Sequence, residues 1–138
     1  MKRKVVMITL VLAVGIAFGV IVGQVLNAQQ DPIKSTVLKR ADLVGIEGKE
    51  GVLMSAEIAP GAVGGKHYCT GNEFACIVEG SMILQVEGKP PVTYKPGDAF
   101  YISPKEVHYP KNVSSTTPVK VLAFAIIDKG QPINVQVK

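Results

Sequence analysis

The chain has 138 residues, enough for one domain and too few for a multidomain enzyme. Its 15 Lys and Arg against 11 Asp and Glu give a formal net charge of +4, but three of the basic residues lie together at Lys2, Arg3 and Lys4. The other basic residues are scattered singly, so we expect no nucleic-acid-binding surface, which needs clustered positive charge.

Residues 1–28 have the pattern of a secretory signal peptide or an uncleaved membrane anchor. The charged Met1–Lys4 precedes an apolar run, Val5–Leu26, in which only Gln24 is polar, and Ala28 supplies the small residue of a signal-peptidase site. The run is also long enough to span a bilayer as a helix, so both alternatives stay open. In either case we expect an exported domain, which is periplasmic or extracellular, or anchored to the cytoplasmic membrane and lying outside it.

Polar residues 29–36 are expected to form a linker, and residues 37–138 a single domain. No window of this domain repeats apolar residues at helical spacing, and Gly and Pro recur throughout it. Short alternating or β-branched runs lie between these turn signals, which is typical of an antiparallel sandwich or barrel. The predicted strands are Thr36–Leu38, Val52–Ile58, His67–Cys69, Phe74–Val78, Met82–Val86, Val92–Tyr94, Ala99–Ile102, Val107–Tyr109, Val119–Ile127 and Ile133–Val137.

Four side chains that can bind a metal stand out, namely His67, Cys69, Glu73 and His108. His67 and Cys69 share one face of a strand because side chains alternate with a period of two. If residues 70–72 form a three-residue hairpin loop, Glu73 lies opposite Cys69 on that face. Imidazole, thiol and carboxylate together suit Zn, Fe or Cu. Such spacing also arises by accident, so by itself it leaves the metal site open.

Two segments of the domain resemble the sequence motifs of the cupin superfamily. Residues 61–80 read GAVGGKHYCTGNEFACIVEG, and the intervals of the first motif are matched by Gly61, His67, Glu73 and Gly80. Residues 97–112 read GDAFYISPKEVHYPKN, and the intervals of the second motif are matched by Gly97, His108 and Asn112. The resemblance implies an all-β fold, a single-domain cupin jelly roll or β-barrel, preceded here by the N-terminal apolar helix.

The resemblance also implies that His67, Glu73 and His108 hold one divalent transition-metal ion in the mouth of the barrel. Cys69 stands where the family's motif has a second metal-binding His. It is a thiolate ligand that favours Cu or Zn over Mn, or a neutral thiol beside a three-ligand ion, or a sign that the site is degenerate and empty. We keep Cys69 in the predicted ligand set, with Zn, Fe, Cu, Ni or Mn as the ion.

The function implied by the resemblance is that of an exported cupin acting on a small molecule. It is expected to be a metal-dependent enzyme of the dioxygenase, isomerase or lyase type, with a non-catalytic metal- or ligand-binding module as the alternative. No general base is identifiable beside the metal-binding side chains, so no catalytic residue is assigned. The expected partners are a small-molecule ligand and a second copy of the chain in a homodimer, with a membrane contact only through an uncleaved N-terminal segment.

Three further interpretations concern residues outside this ligand set. The hairpin would pair Cys76 with Lys66 on the opposite face from Cys69, so we expect a core cysteine and no disulfide. Asn112 begins a glycosylation-type triplet, but its place in the motif favours a structural role at a strand end. The aromatic residues of the short strands are candidates for the lining of a ligand pocket, but such residues are more often core, so we expect core positions; they are Tyr94, Phe100, Tyr101 and Tyr109.

Overall fold

The computed structural model describes residues 32–138, which form ten β-strands and contain no helix. The segment predicted to be a signal peptide or anchor, residues 1–28, lies outside the described residues. Residues 32–138 include no helix with the length and apolar character needed to cross a membrane. The strands are β1 (Ile33–Asp42), β2 (Lys49–Ile58), β3 (His67–Cys69), β4 (Asn72–Glu79), β5 (Met82–Val86), β6 (Val92–Tyr94), β7 (Ala99–Ile102), β8 (His108–Lys111), β9 (Val119–Asp128) and β10 (Asn134–Gln136).

The ten strands form two five-stranded antiparallel sheets. Sheet 1 has the order β1-β2-β9-β4-β7, and sheet 2 the order β10-β3-β8-β5-β6. Strand β9 shows why the sequence folds this way, because its side chains alternate between buried and exposed along nearly its whole length. The predicted all-β jelly-roll architecture is confirmed.

Each predicted run of residues overlaps one strand, and the largest difference is at the first of them. Strand β1 begins at Ile33, inside the segment 29–36 that was expected to be a linker. Its pairing with β2 runs from Ile33 opposite Ile58 to Asp42 opposite Glu50. Because β1 is an edge strand of sheet 1, its polar side chains stay in solvent, and their composition therefore resembles that of a linker.

The hairpin predicted between β3 and β4 is wrong. Strand β3 belongs to sheet 2 and β4 to sheet 1, so Cys69 pairs with Asn134 and not with Glu73. The chain passes from one sheet to the other through Thr70 and Gly71. A Cβ atom on Gly71 would lie 1.9 Å from the backbone oxygen of Ile126, so only glycine allows this close approach to β9. A short polar turn has the same composition in a hairpin and in a corner between sheets.

The two cysteines are free and belong to different sheets, Cys69 to sheet 2 and Cys76 to sheet 1, in agreement with the expected absence of a disulfide. Cys69 is fully buried, whereas Cys76 is partly exposed. The prediction of a core position for Cys76 is wrong, since its neighbours Ala75 and Ile77 are the buried residues of β4. A period of two then places Cys76 on the outer face.

The four aromatic residues divide between the inside and the outside of the domain. Tyr94 and Phe100 pack against the core with ring centroids 4.9 Å apart. Tyr101 is 46% exposed and packs on Phe74, and Tyr109 alternates with the buried His108 and Pro110 of β8. Tyr101 and Tyr109 are therefore not core residues, because strand alternation directs them outward.

Candidate functional site

A cavity of about 420 Å³ lies between the inner faces of the two sheets, within the usual range for small-molecule sites. Its wall includes three titratable side chains, those of His67, Glu73 and His108, and is otherwise apolar or uncharged. It is lined by Pro32, Ile33, Ser35, Met54, Ala56, Ile58, Val63, Gly64, Gly65, His67, Glu73, Met82, Leu84, Phe100, His108, Pro110, Val121, Ala123, Asn134 and Gln136.

The structure brings together the two histidines of the cupin-like motifs. His67 in β3 and His108 in β8 are direct partners in the antiparallel pairing of these strands, so both side chains point to the same face. Their ring centroids lie 4.4 Å apart, with the ring planes tilted by 60°. The imidazoles of two distant segments thus lie side by side within the domain, as the sequence analysis expects; that they hold a common metal ion stays a prediction.

Backbone carbonyls fix the orientation of both imidazole rings. Nδ1 of His67 lies 2.9 Å from the Gly65 oxygen, and Nδ1 of His108 lies 2.9 Å from the Glu106 oxygen. A carbonyl oxygen only accepts, so Nδ1 carries the proton and Nε2 carries the lone pair in each neutral ring. Burial, and to a lesser extent the neighbouring His67, lower the pKa of His108, which favours this neutral form.

Glu73 carries a buried carboxylate oxygen that has no partner. Its Oε2 atom makes no hydrogen bond with any described residue, and its neighbours across the sheet, Ile102 and Ala125, are apolar and buried. Burial raises the pKa of Glu73, while His67 and Cys69 act in the opposite direction. An unpaired buried carboxylate is costly, so this oxygen is an acceptor that a bound cation would satisfy.

Cys69 lies beside Glu73 but is not among the residues that line the cavity. The thiol is fully buried, and burial is the main cause that raises its pKa to about 11, with the Glu73 carboxylate raising it further. The side-chain hydrogen bond between the two groups favours the ionised form of Glu73 and the neutral form of Cys69. At neutral pH the Cys69 side chain is therefore a neutral thiol that hydrogen-bonds to the Glu73 carboxylate and supports it in this way.

The donor groups line one cavity but are not closed around a common point. Among residues 32–138, no group of three or more His, Cys, Asp or Glu side chains stands in an arrangement that could hold a metal ion. A bound ion would therefore require His67, Glu73 and His108 to close on it.

Three polar residues of the cavity wall were missed by the sequence analysis. Asn134 and Gln136 come from β10, which pairs with β3 so that Gln136 lies opposite His67. Ser35 comes from β1, on the other sheet. The alternation within residues 133–137 indicates a strand, but no pattern in it indicates β3 as its partner, and so no local signal placed these residues in the site.

Comparison with known proteins agrees with this architecture. The family model "Cupin domain" matches residues 54–125, more than half of the chain. The search of curated proteins finds no match to this chain. Among solved structures, a cupin-like protein from Thermotoga maritima is 19% identical, with a TM-score of 0.60 over 76% of this chain and 75% of that one.

Two other solved structures illustrate the range of proteins that share the fold. A DMSP lyase from Ruegeria pomeroyi is 17% identical, with a TM-score of 0.64 over 80% of this chain and 54% of the lyase. The cupin domain of an XRE family transcriptional regulator from Enterobacter cloacae is 20% identical, with a TM-score of 0.54 over 70% of this chain and 97% of that domain. At these identities the likeness shows the fold, and one fold hosts many functions. The family match and the paired sheets together establish that the chain belongs to the cupin domain family.

Proposed function

We propose that the chain binds one divalent transition-metal ion in its cavity through Nε2 of His67, Nε2 of His108 and the carboxylate of Glu73. The observation that carries this proposal is the buried, unpartnered Oε2 of Glu73 in a cavity that two imidazoles also line. Two imidazoles and a carboxylate suit Zn, Fe, Cu, Ni or Mn. The donor chemistry therefore fits the metal that the cupin resemblance implies.

The proposed function is that of a metal-dependent enzyme acting on a small molecule. Three protein ligands leave an open position, as catalytic metal sites do, and the cavity of about 420 Å³ offers room for a substrate beside them. A bound divalent ion supplies Lewis-acid chemistry. Likeness to a DMSP lyase supports an enzyme of the dioxygenase, isomerase or lyase type without selecting among them.

A non-catalytic metal- or ligand-binding module is the second candidate, and one observation favours it. Apart from His67, Glu73 and His108, no titratable side chain lines the part of the cavity that residues 32–138 form. An enzyme that needs a separate general base would find none there. Chemistry carried out on the ion alone does not need such a base, so the enzyme is our first choice.

Metal analysis of the full chain tests the proposed function. The protein is purified in detergent, stripped with chelator, exposed to Zn²⁺ or Co²⁺ and passed through a desalting column before elemental analysis. We expect one ion per chain in the wild type and in Glu57→Gln, which changes an exposed carboxylate on β2. His67→Ala and His108→Ala should retain far less metal. Equal retention in all four proteins would contradict the proposal.

We propose that Cys69 supports Glu73 and does not ligate the ion, which is the neutral-thiol alternative. Cys69→Ala should still bind one ion per chain, with affinity lowered about 10- to 100-fold, as is usual when a group that orients a ligand is lost. Cys69→Ser, which keeps a donor beside Glu73, should recover part of this affinity. The affinities are measured by competition with a metal chelator.

The Co²⁺ spectrum of the wild type provides the decisive comparison for Cys69. A supporting thiol predicts no thiolate-to-cobalt charge-transfer band in the near ultraviolet. Such a band, absent from Cys69→Ala, would establish a thiolate ligand instead. With only nitrogen and oxygen donors, the preference for Cu or Zn that a thiolate would confer does not apply.

Export of the domain and its assembly as a homodimer stay predictions. Export rests on the pattern of residues 1–28, and the homodimer on the family resemblance. The mass of the chain in membrane and soluble fractions, together with light scattering in detergent, would test both.

A further inference from the structure

The wall of the cavity is more apolar than polar. Both sheets contribute inward side chains to it, because residues at alternate positions of each strand face the interior. The aliphatic and aromatic part of this wall consists of Ile33, Met54, Ile58, Val63, Met82, Leu84, Phe100 and Val121. A ligand that fills the cavity therefore places much of its surface against hydrocarbon, and it also meets the polar side chains of Ser35, Asn134 and Gln136.

The described wall offers no positive charge to a ligand. None of the residues that line it is Lys or Arg, and its only acid is Glu73. A divalent ion held by one carboxylate and two neutral imidazoles has a net charge of +1, which balances one anionic group. A second anionic group inside the cavity would have no basic side chain beside it, which is unfavourable.

Small side chains on sheet 1 create the space beside the donor groups. Ala56 on β2 and Ala123 on β9 line the cavity, and these two residues face inward beside Ile58 and Val121 of the same strands. A larger side chain at either alanine would project into the cavity. The small size of Ala56 and Ala123 therefore determines how much room the apolar side of the cavity offers.

We propose that the cavity takes a small molecule with one polar or singly anionic head group and an uncharged apolar body. The proposal rests on the metal site proposed above. The head group lies at His67, Glu73 and His108, and the body lies against the wall formed by Met54, Met82, Leu84, Phe100 and Val121. Dicarboxylates and phosphate esters are disfavoured because no Lys or Arg side chain of the described wall neutralises a second charge.

Hexanoate and adipate test this ligand class because they differ by one carboxylate at equal chain length. The full chain in detergent is loaded with Zn²⁺, its metal content is measured, and each acid is titrated by ligand-observed NMR. We expect hexanoate to bind at least about tenfold more tightly than adipate. Equal or tighter binding of adipate, or no binding of hexanoate to the loaded protein, overturns the ligand class and leaves the metal site standing.

Cavity-filling variants show whether hexanoate binds at the proposed place. Ala123→Leu should keep its Zn²⁺ and lose at least about tenfold in hexanoate affinity, since the added methyl groups occupy the site. Ala56→Leu gives the same test if Ala123→Leu does not fold, and Ala99→Leu, on the outer face of β7, is the matched control. Unchanged hexanoate binding in the folded variant overturns the proposal. If the wild-type chain takes up no metal, this result contradicts the proposed function, and the proposed ligand class fails with it.

Discussion

Replacing Asn112 by alanine is expected to lower the free energy of unfolding by about 3–4 kcal/mol. Asn112 is 2% exposed, and its Nδ2 donates to the backbone oxygens of Ile58, Ala59 and Thr117, at 3.1, 3.2 and 2.9 Å. Its Oδ1 accepts from the backbone N–H of Ser114. One side chain thus joins the end of β2 to the loop after β8, and alanine would leave these backbone groups unpaired.

Urea unfolding of the full chain in detergent measures this effect, and two variants separate its causes. Asn112→Asp keeps the shape but turns a donor into an acceptor that faces three carbonyl oxygens, so it should be at least as unstable as Asn112→Ala. Asn134→Ala, at an exposed position of β10, should change stability by less than about 0.5 kcal/mol. A loss below about 1 kcal/mol in Asn112→Ala would show that water replaces the bonds of the side chain.

The same contacts settle the interpretation of the glycosylation-type triplet at Asn112. The amide nitrogen is buried and bonded within the domain, so the folded chain presents no acceptor there. The structural role at a strand end that was predicted for Asn112 is confirmed. The prediction came from the motif interval, because a triplet of this kind gives no information about burial.

The elements best predicted from sequence are those whose pattern reflects burial on one face. Strand β9 alternates between buried and exposed residues over ten positions. The inward positions of His67 and His108 were implied instead by the resemblance to the cupin motifs. Pairing between distant strands has no such local signal. The corner at Thr70–Gly71 and the pairing of β10 with β3 therefore could not be predicted from the sequence, and they determine which residues surround Glu73.

Cys69 and Cys76 show, for single residues, that a local sequence pattern does not determine contacts with distant parts of the chain. Both are small and apolar, and a sequence pattern does not report which groups pack on either side of them. Cys69 turned out to be buried beside Glu73, outside the cavity wall, and Cys76 lies on the outer face of β4. Alternation from Ala75 and Ile77 would have placed Cys76 correctly, whereas the position of Cys69 depends on the corner between the sheets.

Glu73→Gln is expected to stabilise the metal-free protein by about 1–2 kcal/mol and to weaken metal binding by more than about 100-fold, beyond the effect of losing an orienting group. Both effects have one cause, which is the carboxylate oxygen that is buried without a partner. In the metal-free fold this charge is unfavourable, and with an ion bound it is a ligand. A variant that is more stable than the wild type but binds metal more weakly therefore identifies a residue retained for metal binding.

The stability difference between Glu73→Gln and the wild type should grow as the pH rises. Burial raises the pKa of Glu73 above its ordinary value of 4.5, so the folded state binds the proton more tightly than the unfolded state does. Proton binding by Glu73 therefore stabilises the folded wild type. This contribution is complete below the ordinary pKa and is lost as the pH rises through the raised pKa. Urea unfolding with chelator present at about pH 5 and about pH 8 measures the difference, which is larger at the higher pH.

Two further variants make the Glu73 result specific to that carboxylate. Glu73→Met removes both oxygens at similar volume and should also stabilise the metal-free fold, since Ile102 and Ala125 offer it apolar neighbours. Glu57→Gln, on the exposed side of β2, should change neither stability nor metal affinity appreciably. If Glu73→Gln and Glu73→Met both destabilise the metal-free protein, the contact of the carboxylate with Cys69 outweighs the cost of its unpartnered oxygen, and the reason for placing a metal ion beside it is removed.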